Sequence, residues 1–421
     1  MKNAQVVVRN ARQLLTMEPG LATTPPEDEE GVRLGVVEDG AVAIVDGKVL
    51  DIGTTDEIMD TYTAEDEIDA GGRVVAPGLV DPHTHCVFSG SRHLEFCMRM
   101  KGSSYLEILA AGGGIHSSVG SVRDSDVTTL VEETLPRLDR ALSFGVTTIE
   151  VKSGYGLDTE EEAKMLEAVR VLDGRHPVRL VPTFLGAHVV PKEHRDTRNE
   201  YVVKLVEETI PRVAAAKLAV ACDVFLDDGA FTRDEASTIL SAAAAEGLAL
   251  KIHAGQFTDQ GGPELIARMG GLSADHLEVV SDAGIAAMAE AGVVANLLPG
   301  AAFSLRDHFP DGRRYADAGI RVALATDNNP GSSRTENLPL MATMGATRMG
   351  LTCAEAMEGI TSNAARALGL EDSVGSLRPG FEADMVFLAI PDFRAFLYHF
   401  GINHAVTVLV GGKVAAEVKG R

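Results

Sequence analysis

Between residues 75 and 329 the chain alternates β-like runs with helix-like stretches, and this alternation narrows the fold more than any other feature. The β-like runs lie at 75–85, 145–152, 179–188, 221–227, 248–255, 272–278, 292–299 and 321–329. Helix-like stretches separate them, among them TEEEAKMLEAVRVL (159–172) and TRDEASTILSAAAAEG (232–247). The second begins with Thr232 and carries Glu235 three residues on, the spacing of a capping box. Eight β/α alternations describe an α/β protein, a (β/α)8 TIM barrel. The runs AQVVVRN, GAVAIVDGKVLDIG and RVVAPG near the start are rich in β-branched residues, and Asp39-Gly40 and Asp46-Gly47 are turn dipeptides. GSLRPGFEADMVFLAI and AVTVLVGGKVAAEV near the end look alike. Both ends therefore build one small β-sandwich-like domain (residues 1–74 plus 375–421), and residues 75–374 form the barrel. The acidic, Pro-rich segment 21–35 is expected to be a solvated loop.

Composition removes several classes. Of the 421 residues, 45% are hydrophobic and 24% charged, as in ordinary globular proteins. The net charge of −23 argues against nucleic-acid and anionic-membrane partners. No apolar run approaches the roughly 18 residues that span a bilayer. The first residues lack the features of a secretory signal and read as a strand. Cys86, Cys97, Cys222 and Cys353 form no close pair, which suits reduced thiols in a cytoplasm. Strand alternation turns Cys86 away from the face of its histidine neighbours.

The polar residues gather at the ends of the β-like runs. His83 and His85 end the first; Lys152 and Tyr155 follow the second, and His188 the third. His253 ends the fifth, His276 the sixth and Asp327 the eighth. Barrel enzymes place their sites at these C-terminal strand ends. His-x-His on a strand puts two imidazoles on one face, because the side-chain period is two. Alone, the pair also fits two polar strand-end residues. With His253 and Asp327 it suits one divalent ion, Zn²⁺ or Fe²⁺, completed by water. Such an ion lowers the pKa of bound water to about 7. Asp327 could bind the metal and also accept that water's proton.

The stretches DPHTHCVFSGSRHLEF, GGGIHSSVGSVR, VKSGYGLD, TFLGAHVVP, KIHAGQF, SADHLE, LLPGAAFSL and ATDNNPGSS cover residues 81 to about 335. They resemble the amidohydrolase superfamily. More narrowly, they resemble the branch that hydrolyses 4-imidazolone-5-propionate to N-formimino-L-glutamate in histidine degradation. The resemblance implies that His83, His85, His253 and Asp327 ligate the metal, and that Arg92, Tyr155 and His188 contact the substrate. It implies that His276 polarises the carbonyl or stabilises the developing oxyanion, and that Asn329, Gly331 and Ser332 hold the product's glutamate end. It also implies a homodimer acting on a small anionic molecule. Gln256 stands where many members carry Glu. It is kept as a substrate contact, and a proton shuttle there would need a group other than an amide. Arg92 offers a bidentate grip for the substrate's carboxylate.

Three rivals remain. An aminohydrolase of a nitrogen heterocycle shares the framework but usually needs Glu at position 256. A binuclear hydrolase needs a bridging lysine or carboxylate, for which the fourth run offers Asp223 and Asp227. A barrel that only binds would have lost ligands, and all four are present. Lys251 shares the strand face of His253 and reads as a deeper packing or ion-pairing residue. The remaining histidines read as ordinary surface or core groups.

Overall fold

The computed structural model describes residues 1–103, 107 and 112–418. Eight parallel strands pair in sequence order to form the barrel wall. They are β1 Leu79–Asp81, β2 Val146–Lys152, β3 Arg179–Ala187, β4 Ala221–Leu226, β5 Ala249–Ala254, β6 Ser273–His276, β7 Val294–Leu297 and β8 Val322–Leu324. The strands are almost wholly buried, as parallel strands covered by helices must be. Helices Thr159–Asp173 and Arg233–Ala245 lie where the sequence places them, and the capping box of Thr232 and Glu235 is formed.

The wall closes just beyond the strand ends. The amide of Asp327 donates to the His83 carbonyl (3.1 Å), and that of His85 to the Asn328 carbonyl (3.0 Å). The Lys152 amide donates to the Thr84 carbonyl (2.9 Å). The segment carrying His-x-His is thus stitched between the ends of β8 and β2. Closure itself brings positions 83, 85 and 327 together.

The single strand expected over 75–85 proves to be two. Val74–Pro77 pairs antiparallel with Met385–Leu388 and parallel with the strand Lys2–Leu15, in a separate sheet. Only Leu79–Asp81 enters the barrel. A Cβ on the intervening Gly78 would lie 2.2 Å from Thr147 Oγ1, so the chain crosses between sheets where no side chain fits.

The separate sheet is mixed, has eight strands and draws on both ends of the chain. Val8, Val42 and Ile44 share one core with Met385, Phe387 and Leu409, so its two halves enclose apolar residues as a sandwich does. Asp46-Gly47 is the hairpin turn between Val36–Val45 and Lys48–Thr54, with φ of 50° and 76°. Asp39-Gly40, expected as a turn, lies inside a strand instead. There the Thr55 hydroxyl donates to the Asp39 carbonyl (3.0 Å). The expected loop at 21–35 contains a helix, Glu29–Arg33. Asp28 caps it by accepting from the Gly31 amide, and Glu29 and Glu30 favour its N-terminal dipole. Among the described residues no helix is long and apolar enough to cross a membrane.

Candidate metal and substrate site

Three histidines meet at the end of the barrel. Ring nitrogens of His83, His85 and His253 lie within 4.8 Å of one another, and all three residues are buried. Asp327 Oδ1 sits 3.7 Å from Nε2 of both His83 and His85. His83 Nε2, His85 Nδ1 and His253 Nε2 have no hydrogen-bond partner. Buried polar atoms without partners are costly, and three histidines whose nitrogens cluster this closely beside Asp327 fit a shared cation. Burial holds all three imidazoles well below their usual pKa, so their lone pairs are free for a metal. Burial also pushes the Asp327 carboxyl up to about 7, against the pull of His276, Asn329 and Ser332.

Beneath the histidines lies a buried ionic layer. Lys152 Nζ donates to Asp223 Oδ2 (2.6 Å) and lies 2.9 Å from Glu150 Oε2. Lys251 Nζ lies 2.8 Å from Glu150 Oε1 and donates to the Pro82 carbonyl (3.1 Å). Asp275 Oδ2 is 2.6 Å from His83 Nδ1, and Ser273 donates to its other oxygen. Asp223 Oδ1 accepts the His253 amide, while its Oδ2 lies 3.0 Å from His253 Nδ1. A carboxylate behind a histidine fixes the ring's tautomer and orientation. Burial works to raise Asp275, but Lys251 and Lys152 outweigh it and hold the carboxyl below its usual range. His83, Glu150 and Asp275 are also close enough to grip a cation. Both of those carboxylates already lie within ion-pair distance of the lysines, so the upper cluster is the better metal site.

The sequence reading missed Glu150 and Asp275, and weighed Asp223 only as a bridging ligand. The signal was present: each is a carboxylate inside a β-like run rather than at its end. Lys251 is the ion-pairing residue expected of it. Asp227 accepts from the amides of Phe257 and Thr258, and so shapes the loop after β5.

Above the histidines opens a cavity of about 840 Å³ whose lining includes Arg92, Tyr155, His188, Gln256, His276 and Ser332. His188 Nδ1 is 3.0 Å from the Gly154 carbonyl, which can only accept, so Nδ1 carries the proton and Nε2 is left as an acceptor. The His188 ring stacks on His85 at 5.1 Å, and burial lowers its pKa to about 4. Burial raises the Tyr155 phenol, which keeps it a neutral donor. The loop holding Tyr155 is built around Glu162, another residue the sequence reading passed over. Its buried carboxylate accepts from the amides of Gly154 (2.9 Å), Gly156 (2.8 Å) and Leu157 (2.7 Å).

His276 and Leu277 both have positive φ, 82° and 68°. Such strain in bulky residues persists only where the surroundings enforce it. Tyr315 donates to the Leu277 carbonyl at 2.8 Å. The turn sets the His276 ring 5.4 Å from that of His253. Burial alone would lower the His276 pKa, but Glu278, Asp327 and Asp275 raise it above the usual value.

Two expected contacts look different in the structure. The Asn329 amide serves its own loop. Its oxygen accepts from the Gly331 and Ser332 amides (2.7 Å each), and its nitrogen donates to the Asp327 carbonyl (2.7 Å). Arg92 does not present a free fork. Its Nε and Nη2 both donate to Glu95 Oε2 (2.9 and 2.8 Å), and its Nη1 packs against Gly331, where a Cβ would come within 2.2 Å. His93, beside it, is exposed and meets Ser91.

The amidohydrolase family model matches residues 74–416. The imidazolonepropionase of Geobacillus kaustophilus is 48% identical over 97% of this chain and 97% of its own. That of Brevibacillus brevis is 45% identical, again over 97% of each chain. The zinc-complexed atrazine chlorohydrolase of Arthrobacter aurescens shares the fold, with a TM-score of 0.73 at 17% identity, covering 99% of this chain and 97% of its own. Matches of this length and identity make the chain a member of the amidohydrolase family and, within it, of the imidazolonepropionases.

Proposed function

We propose that the chain hydrolyses the cyclic amide of 4-imidazolone-5-propionate to N-formimino-L-glutamate, a step of histidine degradation. The observation that carries the reading is the convergence of His83, His85, His253 and Asp327 beneath an arginine-walled cavity. These four residues hold one divalent ion, zinc or iron. When bound, it supplies a Lewis acid for the ring carbonyl and lowers the pKa of a water.

The chain's own residues do the rest. Tyr155, His188 and Gln256 hold the ring, and the arginine wall receives the propionate. His276 offers an N–H to the carbonyl oxygen as negative charge develops there. Asp327 accepts a proton as water adds to the carbonyl carbon. It returns that proton to the ring nitrogen when the C–N bond breaks, leaving a carboxylate and the formimino group. Gln256, an amide, takes no part in proton transfer. The same Gln256 makes ring deamination the weaker reading. We place the enzyme in the cytoplasm as a homodimer acting on a small anionic substrate, without nucleic-acid or membrane partners.

The test is direct. Purified protein of known metal content is given freshly generated 4-imidazolone-5-propionate, with and without a chelator. Formiminoglutamate that disappears with chelation is expected. A metal-loaded protein that yields none overturns the reading.

A further inference from the structure

By strand alternation residue 276 belongs outside the barrel. Asp275 points inward from β6, where the Ser273 hydroxyl donates to its Oδ1 (2.6 Å), so the next residue should face out, with Ala274. His276 lines the cavity instead, because the chain leaves β6 through two consecutive left-handed residues, His276 (φ 82°) and Leu277 (φ 68°). Side chains of this bulk keep that backbone only where neighbours hold it. The turn is held from two sides. The Leu277 and Val279 amides donate to the carbonyls of Ala254 (3.1 Å) and Gly255 (2.7 Å) at the end of β5. From the other side the helix Gly312–Asp317 supplies two side chains. Arg314 Nη1 donates to the Val280 carbonyl (2.9 Å), and the Tyr315 hydroxyl donates to the Leu277 carbonyl (2.8 Å). The Tyr315 bond is the only one made to that carbonyl among the described residues. Tyr315 is buried, and burial raises its phenol, so the hydroxyl stays a neutral donor.

We infer that Tyr315 is a positioning residue for the reaction: its hydroxyl, acting through the Leu277 carbonyl, keeps the His276 ring turned into the cavity. This rests on the function proposed above, in which His276 donates to the carbonyl oxygen. Leu277 sits at the centre of the turn. Freed of its donor, its buried carbonyl turns to find another, and the left-handed pair relaxes toward ordinary backbone. The His276 ring then moves off the point where negative charge develops. A misplacement of about 1 Å can cost ~10²-fold in rate. The contact strengthens as the oxyanion forms, so the loss falls on kcat rather than on KM.

The experiment uses the metal-loaded full chain and 4-imidazolone-5-propionate. Tyr315→Phe keeps the ring and removes only the hydroxyl. The variant's kcat should fall roughly 10-fold, while KM and metal content hold within about twofold. A hydroxyl that only stabilises the fold would leave kcat of the folded protein alone. The same substitution is then made in a His276→Asn background and followed by single-turnover rates, where it should cost less than about twofold. A crystal structure of Tyr315→Phe should show the His276 ring displaced. An undiminished kcat sinks the inference, and so does a tenfold loss that persists without His276 or a ring that has not moved. Loss of metal in Tyr315→Phe would assign the residue to the histidine cluster and also overturn it. A metal-loaded wild-type protein that yields no formiminoglutamate removes the proposed function together with this inference. An active wild type beside an unaffected variant removes the inference alone.

Discussion

The floor and the wall of the cavity are made of the same residue types by opposite means. In the floor, Glu150, Lys152, Asp223, Lys251 and Asp275 come from four strands and are shut off from water, and each charge is answered by another. In the wall, Arg92 at the start of one short helix and Glu95 and Arg99 within it are only half-buried and leave one charge without a countercharge. A closed network in low dielectric orients the histidines and resists change. An incomplete one is ready for a ligand. The difference suggests that chemistry is seated on the rigid part and selection on the adaptable part.

That division can be broken from either side. The largest effect should come from Asp327→Ala, which removes the proposed proton carrier at the floor's upper edge. Turnover should drop by roughly 10²- to 10⁴-fold, and steady-state rates on protein of known metal content decide it. Full turnover in that variant would mean another group moves the proton. Next comes Lys152→Met, which strands Asp223 without its cation and leaves Glu150 to Lys251 alone. Stability should fall by about 3–5 kcal/mol, the range for a broken buried pair, as read from urea unfolding. A loss under about 1 kcal/mol would show that the floor tolerates imbalance and is no different from the wall.

Changes at the wall should act on binding instead. Glu162→Gln leaves one oxygen for three amides and loosens the loop of Tyr155. KM should rise about tenfold while metal content stays constant. Parallel loss of metal would tie that loop to the floor. The smallest effect should be far from the cavity, at the buried Glu355, which the partly exposed Arg313 and Arg33 hold. Burial would raise Glu355, but these arginines and the Thr352 amide hold its carboxyl down to about 2. A carboxyl depressed on folding stabilises above its ordinary value near ~4.3, and that contribution is lost as pH falls through the folded value. Glu355→Gln should therefore cost roughly 1 kcal/mol at neutral pH, the typical net worth of a hydrogen bond. Unfolding curves of the two proteins should converge as pH falls from about 5 toward about 2. A gap that persists in acid would assign the loss to packing.

Much of this was legible beforehand, for local reasons. The two-residue period of a strand is enough to put His83 beside His85, and the β/α alternation is enough to send Tyr155, His188, His253 and Asp327 to one end. Other features needed the folded chain. His276 adjoins the inward-facing Asp275, so simple alternation would turn it away, and a positive φ redirects it. Arg92 reads as a free fork until Glu95 is seen upon it.

By itself, then, the sequence determined the barrel, the His-x-His pair and the set of strand-end donors, because periodicity and capping act over a few residues. Tertiary structure alone decided which charges meet. Lys152 and Asp223 lie 71 residues apart, and His83 and Asp275 lie 192 apart, joined only by closure of the wall. Burial there makes an unpaired charge too costly to keep. At the cavity wall water still reaches the side chains, and Arg99 can remain without a carboxylate partner.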